Sequence, residues 1–174
     1  MPKIIENLRE KLLEEAKRQV MEQGYSSMTI RSVASACGVG VGTVYNYFPS
    51  KDMLVASFML ADWLESLAVI EAGCSAECGP EAAIRCIYDE LSRFMDKYAP
   101  LFSDKNAEES SSVSLHQRHG MLRAQLAKPL LPLCEKQDRA DAIFLAEFVA
   151  ESLLAWTRTE RRFEEISSIL LQLF

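Results

Sequence analysis

The 174-residue chain predicts an all-α fold in two parts. Apolar residues recur at helical spacing in one segment after another, and glycine or proline stands where each segment ends. One stretch near the N-terminus, Thr29–Leu54, also reads as two short helices with a tight glycine turn and the start of a longer helix.

The first helix is expected from about Lys3 to Gln23. Ile5, Leu8, Leu12, Ala16 and Val20 form an apolar stripe with Leu13 beside it, while Glu6, Glu10 and Arg18 face solvent. Gly24 is the expected C′ stop. The basic residues Lys3, Arg9, Lys11, Lys17 and Arg18 are either a solvated face or additional phosphate partners. In the second helix Ile30, Val33, Ala34 and Cys37 share a face, Thr29 is placed as N-cap, and Gly38 ends it. Val39-Gly40 completes the turn. The third helix runs from about Val41 to Phe48, because the residue before Pro49 disfavours the α region.

This is a helix-turn-helix pattern. At about 100° per residue, Val44 and Phe48 lie together with Val41 beside them, and that side is expected to meet the core. Gly42, Thr43 and Asn46 point away, Tyr45 and Tyr47 flank them, and Arg31 projects near the same edge. Two readings stand: an αα-hairpin whose polar face is merely solvated, or a recognition helix with base partners at its centre and phosphate partners at its margins.

The run from Ala34 to Leu54 resembles the DNA-binding signature of TetR/AcrR-type transcriptional regulators: Ala34, Gly38-Val39, Gly42-Thr43-Val44-Tyr45, Tyr47-Phe48, Ser50-Lys51 and Leu54. It covers the first third of the chain. Two positions depart from it, Cys37 where a small residue is usual and Gly40 where a polar cap is usual. The resemblance implies a DNA-binding domain at 1–50 and a helical effector-binding and dimerisation domain at 51–174. It makes Thr29, Arg31, Val41, Gly42, Thr43, Tyr45, Asn46, Tyr47 and Lys51 the candidate DNA contacts. Lys51 also has a physical reason to be there, since the N-terminal end of a helix already favours a phosphate. With glycines and valines at its start, the third helix has few strong base readers, so sequence choice is expected to rest on Arg31, Asn46, thymine-methyl contact and DNA shape.

After the motif a long helix is expected from Lys51 to about Ile70, with Leu54, Phe58, Ala61, Leu64 and Leu67 apolar and Trp63 among them. Gly73–Pro80 breaks it. The next helix runs from Pro80 or Glu81 to Tyr98, with Ala83, Ile84, Ile87, Leu91, Phe94 and Met95 inward and Pro100 just past its end. Ser103–Ser114, rich in Ser, Asp, Glu and Asn, reads as a mobile loop or a poorly anchored helix start. His116, His119, Met121, Leu122 and Leu126 suggest another helix, interrupted by Pro129 and Pro132. A helix follows from Asp138 to about Thr159, and a last one from about Glu160 to the terminus.

These last two carry more apolar surface than one buried face needs. Ala142, Leu145, Ala146, Val149, Leu153 and Trp156 form one seam, widened by Phe144, Phe148 and Ala155, and Phe163, Ile166, Ile169, Leu170, Leu173 and Phe174 follow. Either they complete the monomer core or they pair with a second subunit in a four-helix bundle. The resemblance favours the homodimer, with Ala142, Leu145, Ala146, Val149, Leu153, Trp156, Phe163, Ile166 and Leu170 at its interface. It also implies a small-molecule effector. Met59, Trp63, Tyr88, Phe94, Met95, Tyr98, Phe102, Met121, Phe148 and Trp156 are the candidate lining, each with plain core as the alternative.

Charge fits this division. The chain has 19 Lys+Arg against 25 Asp+Glu, but Met1–Lys51 is +2 and Asp52–Phe174 is −8. Cys37, Cys74, Cys78, Cys86 and Cys134 occur without a signal peptide, which points to free thiols in a reducing cytoplasm. No apolar run approaches the length that spans a bilayer, so no membrane partner is expected. Cys74-x-x-x-Cys78 with His116-x-x-His119 has the residue types of a metal or redox site but not the spacing of a zinc motif. No nucleophile elbow, phosphate loop or HExxH motif is present, so neither catalytic residue nor cofactor is expected. The expected function is a one-component repressor that binds operator DNA. The alternative is a cytosolic helical small-molecule-binding or enzyme domain whose helix-turn-helix is structural.

Overall fold

The computed structural model describes residues 7–74, 78–102, 115–136, 141–157, 159 and 161–174. Among them the regular elements are α1 (Leu8–Gln23), α2 (Ile30–Ala36), α3 (Val41–Tyr47), α4 (Lys51–Gly73), α5 (Pro80–Phe102), α6 (Leu115–Glu135), α7 (Ala142–Trp156), α8 (Phe163–Leu170) and a 3₁₀ turn at Leu171–Leu173. The helices fall into two compact units. One takes α1 to α3, α4 through Asp62 and the end of α5 from Tyr98; the other takes Trp63–Lys97 and the described residues from α6 onward.

In the first unit the expected stripe of α1 is buried at Leu8, Leu12, Leu13, Ala16 and Val20, while Ile5 lies outside the described residues. Gly24 adopts φ 85° and its N–H reaches Val20 O, the left-handed stop that glycine makes without strain. Leu12, Met28, Val33, Val44 and Leu54 are wholly buried and knit α1 to α4. One charged group shares this interior. Asp62 accepts from Lys17 Nζ on one oxygen and from Tyr98 Oη on the other, both at 2.7 Å, and Tyr98 stacks on Phe58 at 6.2 Å between centroids.

In the second unit Ile84, Ile87, Leu126, Leu130, Val149, Leu153 and Ile166 are wholly buried. Trp63 packs edge-on to Phe94 at 5.4 Å and donates its indole N–H to Gln125 Oε1 at 2.8 Å.

Several boundaries differ from the sequence reading, and each difference has a packing reason. Pro100 does not follow α5 but lies within it, because buried Tyr98 and Leu101 hold the last turn against the core. Pro129 and Pro132 do not interrupt α6, which is continuous across both. Each proline inside a helix costs about 3 kcal/mol. Leu126, Leu130 and Leu133 are buried on the same helix, and at about 1.5–3 kcal/mol apiece such burial offsets much of that cost. The helix expected from Asp138 begins at Ala142 and closes at Trp156; residues 137–140 lie outside the description, as does the expected Ser103–Ser114 loop. The last helix begins at Phe163, not Glu160, and tightens to a 3₁₀ turn. Along α4, Leu64 and Ala61 are exposed, with Leu64 at 53%. Nor is the chain free of a long apolar helix: α4 has 23 residues, and an 18-residue stretch within it has a mean hydropathy of 1.7, enough by length and composition alone to cross a membrane.

Thiols lie where the end of α4 meets α5. A Cβ at Gly73 would overlap Cys86 Sγ, so only glycine lets the two helix ends meet there. Cys74 donates to Ala83 O and Cys86 to Val69 O, each at 3.8 Å. Burial first, then the neighbouring Cys86 and Cys78, pushes the Cys74 thiol up to about 12. In the unfolded chain a thiol ionises near 8.5. From there up to about pH 12 the unfolded state has lost a proton that the folded state keeps, so stability falls as pH rises. Urea unfolding between pH 7 and 10.5 is expected to show this fall, and Cys74→Ala to reduce it, the remainder coming from Cys37 and Cys86, which burial also pushes up. An equal fall in the variant would remove Cys74 as its source.

Candidate nucleic-acid interface

The head is built from the caps inward. Thr29 Oγ1 accepts the Ser32 N–H at 3.0 Å while Ser32 Oγ accepts the Thr29 N–H at 3.1 Å, a reciprocal capping box. Ser32 Oγ donates onward to Gln19 Oε1 at 2.5 Å, and Gln19 Nε2 to Glu15 Oε1 at 2.7 Å. Arg18 holds the same carboxylate, and it, with Gln19, keeps the Glu15 carboxyl below its usual range. The start of α2 is thereby fastened to α1.

Gly38, at φ 66°, donates to Ser35 O at 3.2 Å, and Val39 N–H returns to Ala34 O at 2.9 Å. This left-handed stop turns the chain into α3. Gly40 caps α3 by conformation alone, with no side-chain bond.

Val44 (0% exposed) and Phe48 (2%) pin α3 to the head. Val41, expected beside them in the core, is instead 37% exposed: the first residue of a short helix lies beyond the reach of α1 and α2. The outer surface is made by Val41, Gly42, Tyr45, Asn46 and Tyr47, all exposed, with Thr43 half-buried. Arg31 is exposed in the first turn of α2. The candidate base-facing residues Gly42, Asn46 and Arg31 are therefore accessible, and Thr43 partly so.

Thr29 and Lys51 have other engagements. The Thr29 hydroxyl oxygen serves the cap. Lys51 Nζ donates to Tyr25 O at 2.5 Å and stands 4.0 Å over the Tyr25 ring, whose hydroxyl donates to Asp52. Buried Tyr25 was invisible as a site residue in the sequence, because it meets α4 across more than twenty residues of chain.

The seam expected at a dimer interface is placed differently. Ala142, Leu145, Ala146, Val149 and Leu153 are buried within this chain, as are Phe163, Ile166 and Leu170, and Trp156 packs against the same core. Apart from the partly buried Trp156, they offer little surface to a second subunit. The exposed side of α7 carries Ile143 (67%), Phe144 (68%) and Phe148 (47%), the two phenylalanine rings 6.3 Å apart.

The candidate effector lining is only partly brought together. Trp63 meets Phe94, and Tyr88 meets Phe163 edge-on at 5.3 Å. Met59 and Met95 are half-buried, Tyr98 is committed to Asp62, and Met121 and Phe148 stand at the surface. The side chains of Phe102 and His116 lie outside the description. Among the described residues, those weighed as a metal site do not converge: Cys74 turns to Ala83 O, and His119 meets Glu151 at 2.8 Å.

Residues 12–58 match the family described as bacterial regulatory proteins, tetR family. The HTH-type transcriptional repressor KstR of Mycobacterium tuberculosis is 23% identical over 172 residues, covering 93% of this chain and 76% of that protein. The HTH-type transcriptional regulator UidR of Escherichia coli is 30% identical over 60 residues, 34% of this chain but only 31% of its own length. Salmonella enterica GusR shares the fold, with a TM-score of 0.65 at 16% identity over 98% of this chain and 96% of that one. The head, its exposed third helix and these likenesses agree: residues 12–58 carry the helix-turn-helix, DNA-binding head of the tetR family of bacterial regulatory proteins, and the rest of the chain shares the fold of such transcription regulators.

Proposed function

We propose that the protein is a one-component transcriptional repressor of the cytoplasm, which binds operator DNA as a homodimer and is released by a small-molecule effector bound in the helical domain. The observation that carries this reading is α3 itself, anchored through Val44 and Phe48 while its outer face is open. Thr43, Asn46 and Gly42 face base edges; Tyr45 and Tyr47 stand at the phosphate margins. Two heads read half-sites about one helical turn apart, roughly 34–36 Å, and an effector that alters their separation by a few ångströms breaks that register.

The test is Tyr47→Ala against the DNA upstream of the protein's own gene, with circular dichroism to confirm the fold. Affinity is expected to fall about 10-fold or more, the size of one lost contact of roughly 1–3 kcal/mol. Unchanged affinity would remove α3 from the interface.

A further inference from the structure

We propose that Arg9 is a phosphate clamp of this interface, set in place by Phe48, the residue that caps the C-terminal end of the recognition helix. The proposal rests on the reading of α3 as the DNA-binding helix.

The cations of the head are unequally available. Lys17 is held by Asp62, Arg18 by Glu15 and Glu22, and Lys51 by the carbonyl and ring of Tyr25. Lys11 lines a shallow depression together with Glu14 and Glu15. Among the described residues, Arg9 makes no ion pair, is exposed, and has its guanidinium 5.5 Å from the centroid of the Phe48 ring. Such stacking restricts the side chain while leaving its N–H donors outward.

Phe48 closes α3, and its ring lies 6.4 Å from that of exposed Tyr47. The C-terminal end of a helix is electronegative and α3 has no basic residue in its last turn, so a phosphate needs a cation supplied from elsewhere to sit there. Arg9 supplies it from α1, across 39 residues of chain. Its planar fork matches two phosphate oxygens, and the phenol of Tyr47 stands at the same margin.

The experiment measures affinity against salt for the full-length protein, on a duplex from its own upstream region and on a random duplex. Arg9→Gln is expected to reduce the slope of log K against log salt by about 0.9 per protomer and to weaken both duplexes by the same factor. Arg161→Gln removes the same charge outside the head and is expected to leave the slope unchanged. Arg9→Lys, keeping the charge without the fork, should restore the slope but only part of the affinity. A wild-type slope in Arg9→Gln, or an equal loss in Arg161→Gln, would overturn the assignment. A flat salt response in the wild-type protein would overturn the DNA-binding role of α3 together with it.

Discussion

Replacing both Phe144 and Phe148 by glutamate is expected to turn the proposed dimer into a folded monomer and to weaken operator binding by about 10²–10⁴-fold, the gain that linking two binding modules supplies. The two rings, 68% and 47% exposed, lie together on the open side of α7 beside Ile143. A large phenylalanine buries on the order of 150–250 Å² when covered. Two from each protomer, with Ile143, leave an apolar surface of the size that marks a contact site. In a two-fold interface every substitution occurs twice, so four carboxylates are brought into one apolar contact, which removes attraction and adds repulsion. Size-exclusion chromatography with light scattering reads the oligomeric state, and a gel-shift titration reads the affinity. A dimer that survives both charges would place the interface elsewhere. The buried seam should respond differently. Leu153→Ala leaves a cavity in a wholly buried position and is expected to cost about 2–5 kcal/mol of stability.

That contrast shows what the sequence could reveal. The spacing of Ile30, Val33 and Ala34, the Thr29 cap and the Gly38 stop were legible because each acts within a few residues of itself. The anchors Val44 and Phe48 were legible for the same reason. A helix apolar on two sides is a different problem. Periodicity showed that α7 had a surplus, but which side the chain keeps for itself depends on α6, whose course through Pro129 and Pro132 is decided by packing. The pairings of Lys51 with Tyr25, Arg9 with Phe48 and Lys17 with Asp62 join residues 26, 39 and 45 positions apart. Local pattern holds no signal for them. Lys51 shows the consequence: its place at a helix start suggested a phosphate contact, whereas the fold turns its ammonium onto a tyrosine.

The other large effect is expected from Asp62→Ala, with a loss of about 2–3 kcal/mol in urea unfolding. Asp62 is 9% exposed and lies in the first unit, where α1, α4 and the end of α5 meet. Its carboxylate holds Lys17 from α1 and the hydroxyl of Tyr98 from α5, both at 2.7 Å. Truncation withdraws an acceptor from a tyrosine that is itself 0% exposed, and that part of the loss water cannot easily make good. Lys17, with a side chain 32% exposed, can turn toward solvent, so the loss should fall below the 3–5 kcal/mol of a fully buried pair. The partner variants set the order. Asp62→Asn keeps an acceptor for Tyr98 and should cost less than Asp62→Ala; Tyr98→Phe removes the hydroxyl together with its need for a partner and should cost about 1 kcal/mol. In the double variant Asp62→Ala/Tyr98→Phe, the two losses should fall short of additivity, because the second change removes the group that the first had deprived. Strict additivity would mean that the two side chains act independently and that the carboxylate is not what fastens α1 and α5 to α4.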